Sequence, residues 1–561
     1  MKKIFLIIGI VIIVFGAGIY IYLKKNKFID FAPQIKAKLQ TLVLAASDSL
    51  YKLEFDTLDA DVLKSKLIIK NLRLLPDTAI LMRMESKGEK PADVFKLTLN
   101  SLVVDGLNVE DFTSAKEIGL DVIYVKDPHL EIYHEKKSTA PRDSTSIKTL
   151  YQNISKEMNS VGVKKLLIQN MNLIHHNFKN KADRTTRFNK TNILFTDILI
   201  DSVTQYDNKR FLYSKDALIT FVNMKVRTPD SLYFIKFDSI GVNAAKKNVH
   251  IEGINVQARY GRDDFVKKLS FAKEMYDVQF KNITFSNIDW WSMVSSESFE
   301  AERADITDCD IKAYTDRSLP PYPKSKVGNY PHQLLMKLPI PVYIKEMKIS
   351  NCNLMYEEFN PKSRKKGKLE FNNINGTVSN ITNEKEIIEQ QPLMKIHAEG
   401  QLMRTGQLKA EFSFNLAKAT QGIFSLDIHL GAMDGSKLNS AAIPLGIFEV
   451  KSANIKELNA HISGSNYKGT GFISFKYTDL NINILKQNST TGQFQKRGFI
   501  SFIANNLLLK TSNPEDGGFV KKEAASYPRN IHQSFFNVIW KTILIGILKS
   551  IGYEAGVDKV K

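Results

Sequence analysis

The sequence predicts a mainly β protein in the form of an elongated, curved antiparallel sheet whose apolar concave face makes a groove. Three observations lead to this fold class: alternation of apolar and polar residues, an internal repeat, and strand-like segments at short spacing. In residues 408–416 and 424–430 every second residue is apolar. Because the side chains of a strand point alternately to its two faces, each of these segments has one apolar and one polar face.

The composition is that of a folded, basic protein. Of the 561 residues, 43% are hydrophobic, and the formal net charge is +19. Such an excess of positive charge attracts anionic partners, either nucleic acid or anionic lipid head groups. The lysines are spread along the chain, and no zinc-finger, helix-turn-helix or RNA-binding signature accompanies them. We therefore expect no nucleic-acid partner; a solvated basic surface and a membrane-surface role both stay open.

Residues 1–27 are predicted to be a transmembrane anchor with its flanks. Residues 4–23 carry no charge, and a helix of this length, at about 1.5 Å per residue, spans the roughly 30 Å hydrocarbon core of a bilayer. A cleaved signal peptide would have a shorter apolar region followed by a polar sequence. Lysines flank the segment almost equally, so the positive-inside rule does not decide its orientation. The anchor residues are Ile4, Phe5, Ile8, Ile12, Phe15, Tyr20 and Leu23.

An internal repeat relates two parts of the chain. Residues 163–173 match residues 344–354 at a constant offset, and Asn170 of the first copy coincides with Asn351 of the second. Each copy has the pattern of a strand, a break at the asparagine and a second strand. A matched register of this length is more than the alternation that all β-rich chains share, so we expect related structural units at the two positions.

These patterns divide the chain into six regions. The anchor is followed by an N-terminal helix with the first β units, then by two halves of the β-groove that a segment with six prolines separates, and finally by an apolar or amphipathic helix. The regions are 1–27, 28–160, 161–318, the proline-rich boundary 319–341, 342–511 and 525–561.

The C-terminal helix has an unusual composition. Residues 535–551 are strongly apolar, and Lys541 and Lys549 are the only charged residues among them. The segment is short for a membrane span and long for a core helix. We therefore predict a helix that lies in a membrane interface or caps the sheet, with Phe535, Trp540 and Ile547 as its interfacial residues.

Three features together resemble the AsmA-like family of Gram-negative envelope proteins, which is related to the bridge-like lipid-transfer proteins. They are the anchor, the repeated units, and a C-terminal segment formed by residues 431–439 (GAMDGSKLN), 458–463 (LNAHIS) and 469–480 (GTGFISFKYTDL). The resemblance covers most of the chain loosely and residues 395–550 more specifically. It implies a taco-shaped groove in the periplasm, a single-pass anchor in the inner membrane, and phospholipid and the outer membrane or its proteins as partners.

Motifs for catalysis are missing from the sequence. We find no paired catalytic carboxylates, nucleophile elbow, P-loop or dinucleotide fingerprint, so we expect neither an enzyme nor a cofactor. The pair His175 and His176 is the most suggestive of a metal site. Adjacent residues of a strand face opposite sides, however, so the two imidazoles are not expected to bind one metal ion.

Two further groups of residues receive a structural interpretation. Trp290 and Trp291 follow Asp289, and we interpret them as a packed turn in preference to a corner that contacts a ligand. The two cysteines, Cys309 and Cys352, are too few for a disulfide framework, although they could pair, and we interpret them as buried thiols.

Two functions from different classes fit the apolar face. The leading hypothesis is a lipid-binding conduit whose candidate lipid-facing residues are Phe412, Phe414, Leu426, Ile428 and Phe475. The alternative is a scaffold for outer-membrane protein assembly that transports nothing, in which the same residues close a dry core. An envelope enzyme is disfavoured by the missing motifs.

Overall fold

A computed structural model describes the greater part of the chain after its N-terminal segment. The described residues are 36–37, 40–41, 43–44, 47–61, 64–91, 93–106, 117–134, 151, 155, 159–177, 184–487, 494–496, 509–515 and 518–560. The predicted anchor, residues 1–27 with Ile4, Phe5, Ile8, Ile12, Phe15, Tyr20 and Leu23, lies outside them. Within these ranges no helix combines the length and the apolar character that crossing a membrane requires.

The described chain is mainly β, as the alternation of apolar and polar residues predicts. The strands are β1 Tyr51–Glu54, β2 Thr57–Asp61, β3 Lys66–Pro76, β4 Asp93–Asp105, β5 Glu117–Lys126, β6 His129–His134, β7 Ser160–Asn177, β8 Arg184–Ile200, β9 Asp216–Arg227, β10 Tyr233–Asn243, β11 Asn248–Ala258, β12 Met275–Ile288, β13 Phe299–Asp316, β14 Val342–Asn360, β15 Lys365–Thr382, β16 Leu393–Leu402, β17 Gly406–Asn415, β18 Phe424–Leu430, β19 Met433–Asp434, β20 Phe448–Gly464, β21 Lys468–Gln487, β22 Phe494–Lys496 and β23 Lys522–Pro528. The helices are α1 Thr78–Ser86, α2 Arg262–Lys267, α3 Trp290–Ser295, α4 Pro331–Leu335, α5 Lys385–Gln390, α6 Asn439–Ala441, α7 Phe535–Ser550 and α8 Glu554–Val560.

The chain divides into two compact units. The first consists of Met1–Gly253 with Asn287–Ser296, and the second of Ile254–Ser286 with Glu297–Lys561. The proline-rich segment 319–341, for which the sequence predicts a boundary, lies within the second unit.

The strand pairing in each unit is mixed, which corrects the prediction of an antiparallel sheet. In the first unit β5 and β6 both pair in parallel with β7, and in the second unit β13 pairs in parallel with β14. A parallel pair requires a crossover of a dozen or more residues. Residues 135–159 and 317–341 provide connections of that length before β7 and before β14.

Antiparallel pairing builds the remainder of each unit. In the first unit β3 joins β1, β2 and β4, and β7 leads through β8 and β9 to β10. In the second unit the order from β14 is β15, β16, β17, β18, β20, β21 and β23. Most of these connections are short, so neighbours in sequence are neighbours in the sheet.

The predicted repeat corresponds to a shared backbone feature. Asn170 and Asn351 have positive φ angles of 55° and 56°, a left-handed conformation that asparagine tolerates better than most residues. The backbone N–H of Asn170 donates to Oδ1 of Asn192 at 2.9 Å, and that of Asn351 donates to Oδ1 of Asn375 at 3.0 Å. The strand register shifts beside both residues, so each copy contains a β-bulge at its asparagine.

Cys309 and Cys352 form a disulfide, so the prediction of two buried thiols is wrong. The two residues lie directly opposite each other in the parallel pair of β13 and β14, with their Cα atoms 4.5 Å apart. This separation falls in the range that a disulfide needs. The parallel pairing brings the cysteines together, and the sequence alone does not reveal it.

Candidate functional site

The C-terminal helix α7 packs on β21 and β23 in the second unit. The helix approaches the sheet closely at two glycines. A Cβ atom at Gly469 of β21 would lie 2.6 Å from Oγ1 of Thr542, and one at Gly546 of the helix would lie 2.5 Å from Cβ of Ile473. Because neither position has room for a side chain, glycine allows the helix to lie directly on the strand.

An aromatic cluster holds the N-terminal end of α7. The ring centroid of Phe535 lies 4.7 Å from that of Tyr330, 5.6 Å from that of Phe414 and 4.9 Å from that of Phe424. All four rings are buried. The cluster therefore joins three separate parts of the sequence: the helix, the proline-rich segment and the strands β17 and β18.

The structure places the five predicted lipid-facing residues next to α7. Phe414, Leu426 and Phe475 are buried, with exposed fractions of 1%, 0% and 6%, and Phe412 and Ile428 are half-buried. They belong to, or pack against, the two hydrophobic clusters to which α7 contributes Phe535, Val538, Ile539 and Ile545. In this structure these residues line a packed interior beneath the helix.

The three predicted interfacial residues of α7 occupy different environments. Phe535 is buried in the aromatic cluster. Ile547 is half-buried and packs against the hydrophobic cluster that contains Phe475 and Ile545. Trp540 is 49% exposed on the outside of the helix. One side of the helix therefore packs on the sheet, while the Trp540 side chain is exposed to solvent.

The apolar face continues beyond the helix towards β14. Met347 and Ile349 of β14 and Ile396 of β16 are half-buried and pack against the cluster that contains Phe414. Met347 also packs against a third cluster, which includes Ile344. Met347 packs against two of the clusters, and Ile428 also packs against two, so the three clusters form one apolar surface. The sequence signal for β16 is Met394, Ile396 and Ala398 at alternate positions.

A polar cluster lies at the C-terminal ends of β13 and β14. Nε of Arg317 lies 3.1 Å from Oε2 of Glu358, and the Tyr356 hydroxyl donates to the same carboxylate oxygen. Burial raises the pKa of Tyr356 above its usual range, so its hydroxyl stays protonated at neutral pH. No sequence motif links these three residues, so they could not be predicted from the sequence.

Lys541 adds a second cation near this cluster. Burial lowers the pKa of Lys541, and the negative charge of Glu358 acts in the opposite direction. Arg317 and Lys541 together carry one more unit of charge than Glu358, an arrangement suited to an anionic group.

A polar cavity of about 370 Å³ is present among β13, β14, β15 and β16. Its lining includes Glu370 and Arg404, whose Oε2 and Nε atoms are 3.2 Å apart. Lys368 and Arg404 hold the pKa of the Glu370 carboxyl below its usual value. None of the five predicted lipid-facing residues lines this cavity. Because its buried carboxylate is neutralised by the chain's own cations, we assign it a structural role.

The histidine pair separates as predicted. The ring of His175 lies 6.2 Å from that of His134, whereas the ring of His176 stacks on Tyr133 at 4.7 Å. The two histidines therefore have different neighbours. Among the residues that the structure describes, no group of three or more metal-ligating side chains has the arrangement of a metal site.

The tryptophan pair, interpreted above as a packed turn, begins the short helix α3 Trp290–Ser295. Trp290 is buried, its indole N–H donates to the carbonyl oxygen of Ala244 at 3.0 Å, and its ring packs edge-on against Phe211. The Asp289 carboxylate accepts from the backbone N–H of Trp291 and caps α3.

Comparison with known proteins gives no identification: no protein-family model matches the chain, and a search of curated proteins finds no match either. The AsmA-like resemblance therefore stays a prediction that depends on the residues quoted for it.

Proposed function

We propose that the chain binds phospholipid on the apolar surface of its second unit and transfers it between the membranes of a cell envelope, in support of the outer membrane. One observation carries this proposal: the surface extends from the area under α7 to β16 and β14, where Ile396, Met347 and Ile349 are half-buried. Apolar side chains left in contact with water favour an apolar ligand, because burial of each methylene group contributes about 0.8 kcal/mol.

The polar cluster supports a phospholipid in preference to an uncharged lipid. A phospholipid combines acyl chains with an anionic phosphate, so it needs an apolar surface with a cation nearby. Arg317 and Lys541 supply the cations, and their charge exceeds that of Glu358 by one. The overall charge of +19 favours the same class of ligand.

The disulfide supports the location that we propose. Disulfides persist in oxidising compartments, such as the bacterial periplasm, and are rare in the cytosol of most organisms. The bond between Cys309 and Cys352 thus agrees with a periplasmic position for the second unit. The proposed attachment to the inner membrane depends on the predicted anchor in residues 1–27, and the envelope itself on the AsmA-like resemblance.

Lipid analysis of the purified full-length chain tests the proposal. We expect phospholipid to co-purify with the wild type and to be extractable for mass spectrometry. The double variant Ile349→Asp with Ile396→Asp places two charges on the half-buried part of the apolar surface, which an acyl chain does not tolerate. We expect this variant to lose most of its bound phospholipid while it retains its β-sheet circular dichroism.

Thr377→Asp is the matched control. Thr377 is an exposed residue of β15, the strand between β14 and β16, and it precedes the buried Val378. The control variant should bind as much phospholipid as the wild type, and lipid held by any other part of the chain is the same in all three proteins. Equal lipid content in the double variant and the control, or no co-purified lipid in the wild type, would refute the proposal.

A specific observation favours a second candidate, a scaffold that positions outer-membrane proteins. Three of the five predicted lipid-facing residues, Phe414, Leu426 and Phe475, are buried beneath α7. A photo-crosslinking residue in place of Met347 distinguishes the two functions, since Met347 lies on the half-buried part of the surface. Lipid adducts in membranes support transport, whereas protein adducts without lipid support the scaffold.

A further inference from the structure

The second unit buries two ionisable side chains that the proposed function does not use, His332 and Arg529. His332 is completely buried, and Arg529 is 7% exposed. Both lie beside Tyr330, whose ring centroid is 6.2 Å from that of His332 and 4.4 Å from the guanidinium carbon of Arg529. Arg529 donates to the carbonyl oxygens of Asn466 and Lys326, whereas neither ring nitrogen of His332 has a partner in the described part of the chain. Of the two, only histidine changes its charge between pH 5 and 8.

His332 belongs to α4, a short helix that few polar contacts attach to the rest of the second unit. The Tyr330 hydroxyl donates to the carbonyl oxygen of Ser465 at 2.9 Å, and the Gln333 amide donates to that of Ala419 at 2.7 Å. Because α4 belongs to no strand, its release breaks no hydrogen bond of the sheet. A local opening of this kind requires less free energy than unfolding of the whole unit. We call residues 330–335 the latch.

The latch covers an aromatic surface. The ring centroid of His332 lies 5.0 Å from that of Phe414, and the ring centroid of Tyr330 lies 5.8 Å from that of Phe424 and 4.7 Å from that of Phe535. Phe535 is the first residue of α7. Release of the latch therefore exposes the N-terminal end of α7 together with the rings of β17 and β18 on which it packs.

No strand packed against the latch directs a carboxylate at the imidazole. The hydrophobic cluster that contains Phe414 has Tyr330 as its only ionisable member, and burial raises the pKa of Tyr330, so its hydroxyl stays neutral. The charged residues of the packed strands alternate with cluster members and lie on the opposite face. They are Glu346 and Lys348 of β14, Lys395 and His397 of β16, Lys409 and Glu411 of β17, Asp427 and His429 of β18, and His461 of β20.

The helices and connections around the latch carry charges of both signs. The negative ones belong to α5, which packs against the cluster through Ile388. The full set is Glu384, Lys385, Glu386 and Glu389 of α5, Lys541 of α7, and Lys337, Lys418, Arg529 and His532 of the connections. None of these groups offsets the effect of burial, which is the one cause that lowers the pKa of His332.

Acid therefore favours the form in which His332 reaches water. An imidazolium without a counter-charge is unfavourable among apolar side chains. The pKa of His332 is about 4 in the packed form, compared with about 6.5 for a histidine in water. Between these values the released form binds a proton that the packed form does not bind. The equilibrium constant for release should thus rise roughly twentyfold from pH 7 to pH 5.

We propose that the latch is an acid-sensitive switch: protonation of His332 releases residues 330–335 from the sheet and uncovers Phe414, Phe424 and Phe535. At neutral pH the latch covers this end of the apolar surface, and a fall in pH opens it. The switch operates whatever molecule the apolar surface binds, so it goes beyond the proposed function.

Hydrogen–deuterium exchange of the full-length chain tests the switch at pH 7 and pH 5. We expect the protection factors of residues 331–338 and of the first turn of α7, corrected for intrinsic exchange rates, to fall roughly twentyfold at pH 5. β20 and β21 should remain better protected than these segments at both pH values, because the sheet stays folded when the latch opens. If the latch exchanges only together with β20 and β21, at equal protection, it has no opening of its own and the proposal fails.

Two variants separate the trigger from the strength of the latch. His332→Phe keeps an aromatic ring and cannot be protonated, so the protection of residues 331–338 should no longer depend on pH. Tyr330→Phe is the matched control: it loses the hydrogen bond to Ser465 and should raise release roughly fivefold at both pH values, which leaves their ratio unchanged. A pH dependence that persists in His332→Phe assigns the effect to another group, such as His532, and overturns the proposal.

Chemical modification of the wild type gives a check that needs no variant. Diethyl pyrocarbonate reacts with accessible neutral imidazoles, and the modified residues are identified by mass spectrometry. At pH 7 we expect His461, whose side chain is 57% exposed, to react at least tenfold faster than His332. Equal rates at the two histidines would show that the latch is already open at neutral pH and would rule out the switch.

Discussion

Phe535 of α7 and Phe424 of β18 lie 4.9 Å apart at their ring centroids, in the cluster through which the helix is joined to the sheet. Phe535 is buried, so its removal leaves a cavity that the surrounding rings fill only in part. We expect Phe535→Ala to lower the free energy of unfolding by about 3–5 kcal/mol. Denaturant unfolding of the second unit, followed by circular dichroism, measures this loss.

The adjacent residue supplies the control. Phe536 belongs to the same helix and is 64% exposed, so Phe536→Ala should change the free energy of unfolding by no more than about 0.5 kcal/mol. Equal losses in the two variants would contradict the packing of α7 on the sheet.

Phe414 and Leu426, which α7 covers, show what the sequence can and cannot predict. An apolar C-terminal helix and the alternating strands could be predicted, because composition and period are local properties. The sequence does not reveal what covers an apolar face. Phe414 and Leu426 alternate with polar residues as lipid-facing or core residues would, and only the contact with a helix more than a hundred positions away distinguishes the two.

Asn351 combines a left-handed backbone with two hydrogen bonds. Its side-chain amide donates to Oδ1 of Asp308, and its backbone N–H donates to Asn375. We expect Asn351→Ala to destabilise the second unit more than Asn351→Gly, by about 1 kcal/mol. Both variants lose the amide, but only alanine has a Cβ atom that opposes a positive φ. Chemical unfolding of the two variants gives the difference.

The corresponding pair in the first unit provides an independent check. Asn170→Ala and Asn170→Gly should differ in the same direction, since φ at Asn170 is 55°. A glycine variant less stable than the alanine variant at either position would rule out a left-handed backbone there.

The repeat shows a second limit of prediction. The matched asparagines predict related units, and the shared bulge agrees with this, since a residue type that tolerates positive φ leaves a mark in sequence. Parallel pairing leaves no such mark, because alternation is the same in parallel and antiparallel strands. The disulfide was missed for the same reason: Cys309 and Cys352 become neighbours only when β13 and β14 run in parallel.

We expect the disulfide between Cys309 and Cys352 to stabilise the folded second unit by a measurable amount. The two cysteines are 43 residues apart in sequence, and a cross-link over that distance removes chain entropy worth roughly 4 kcal/mol from the unfolded state. We expect Cys309→Ser with Cys352→Ser to lower the free energy of unfolding by up to that amount. Reduction of the wild type should cause a similar loss, whereas the reductant should not affect the double variant.

Peptide mapping gives a direct check of the bond. A digest under non-reducing conditions should contain one linked peptide with both cysteines, which separates into two on reduction. Two alkylatable thiols in the protein purified without reductant would contradict the pairing.

The burial of His332 makes the stability of the second unit depend on pH. Its side chain is completely buried, 5.0 Å from the Phe414 ring, and neither ring nitrogen has a hydrogen-bond partner in the described part of the chain. Burial lowers its pKa to about 4. The unfolded chain, with an ordinary pKa of about 6.5, therefore binds more protons than the folded chain between these values. Stability should be unaffected above pH 6.5, decrease as the pH falls towards 4, and level off below it.

The size of this effect allows a direct test. Between pH 7 and pH 5 the wild type should lose roughly 2 kcal/mol of its free energy of unfolding through His332. His332→Phe removes the titrating group and keeps an aromatic ring beside Phe414, so the loss between the two pH values should shrink by that amount. The difference between the two proteins isolates His332, because all other titrating groups are shared. Parallel pH profiles for the wild type and His332→Phe would show that the imidazole is hydrated or paired in solution, contrary to the burial that lowers its pKa.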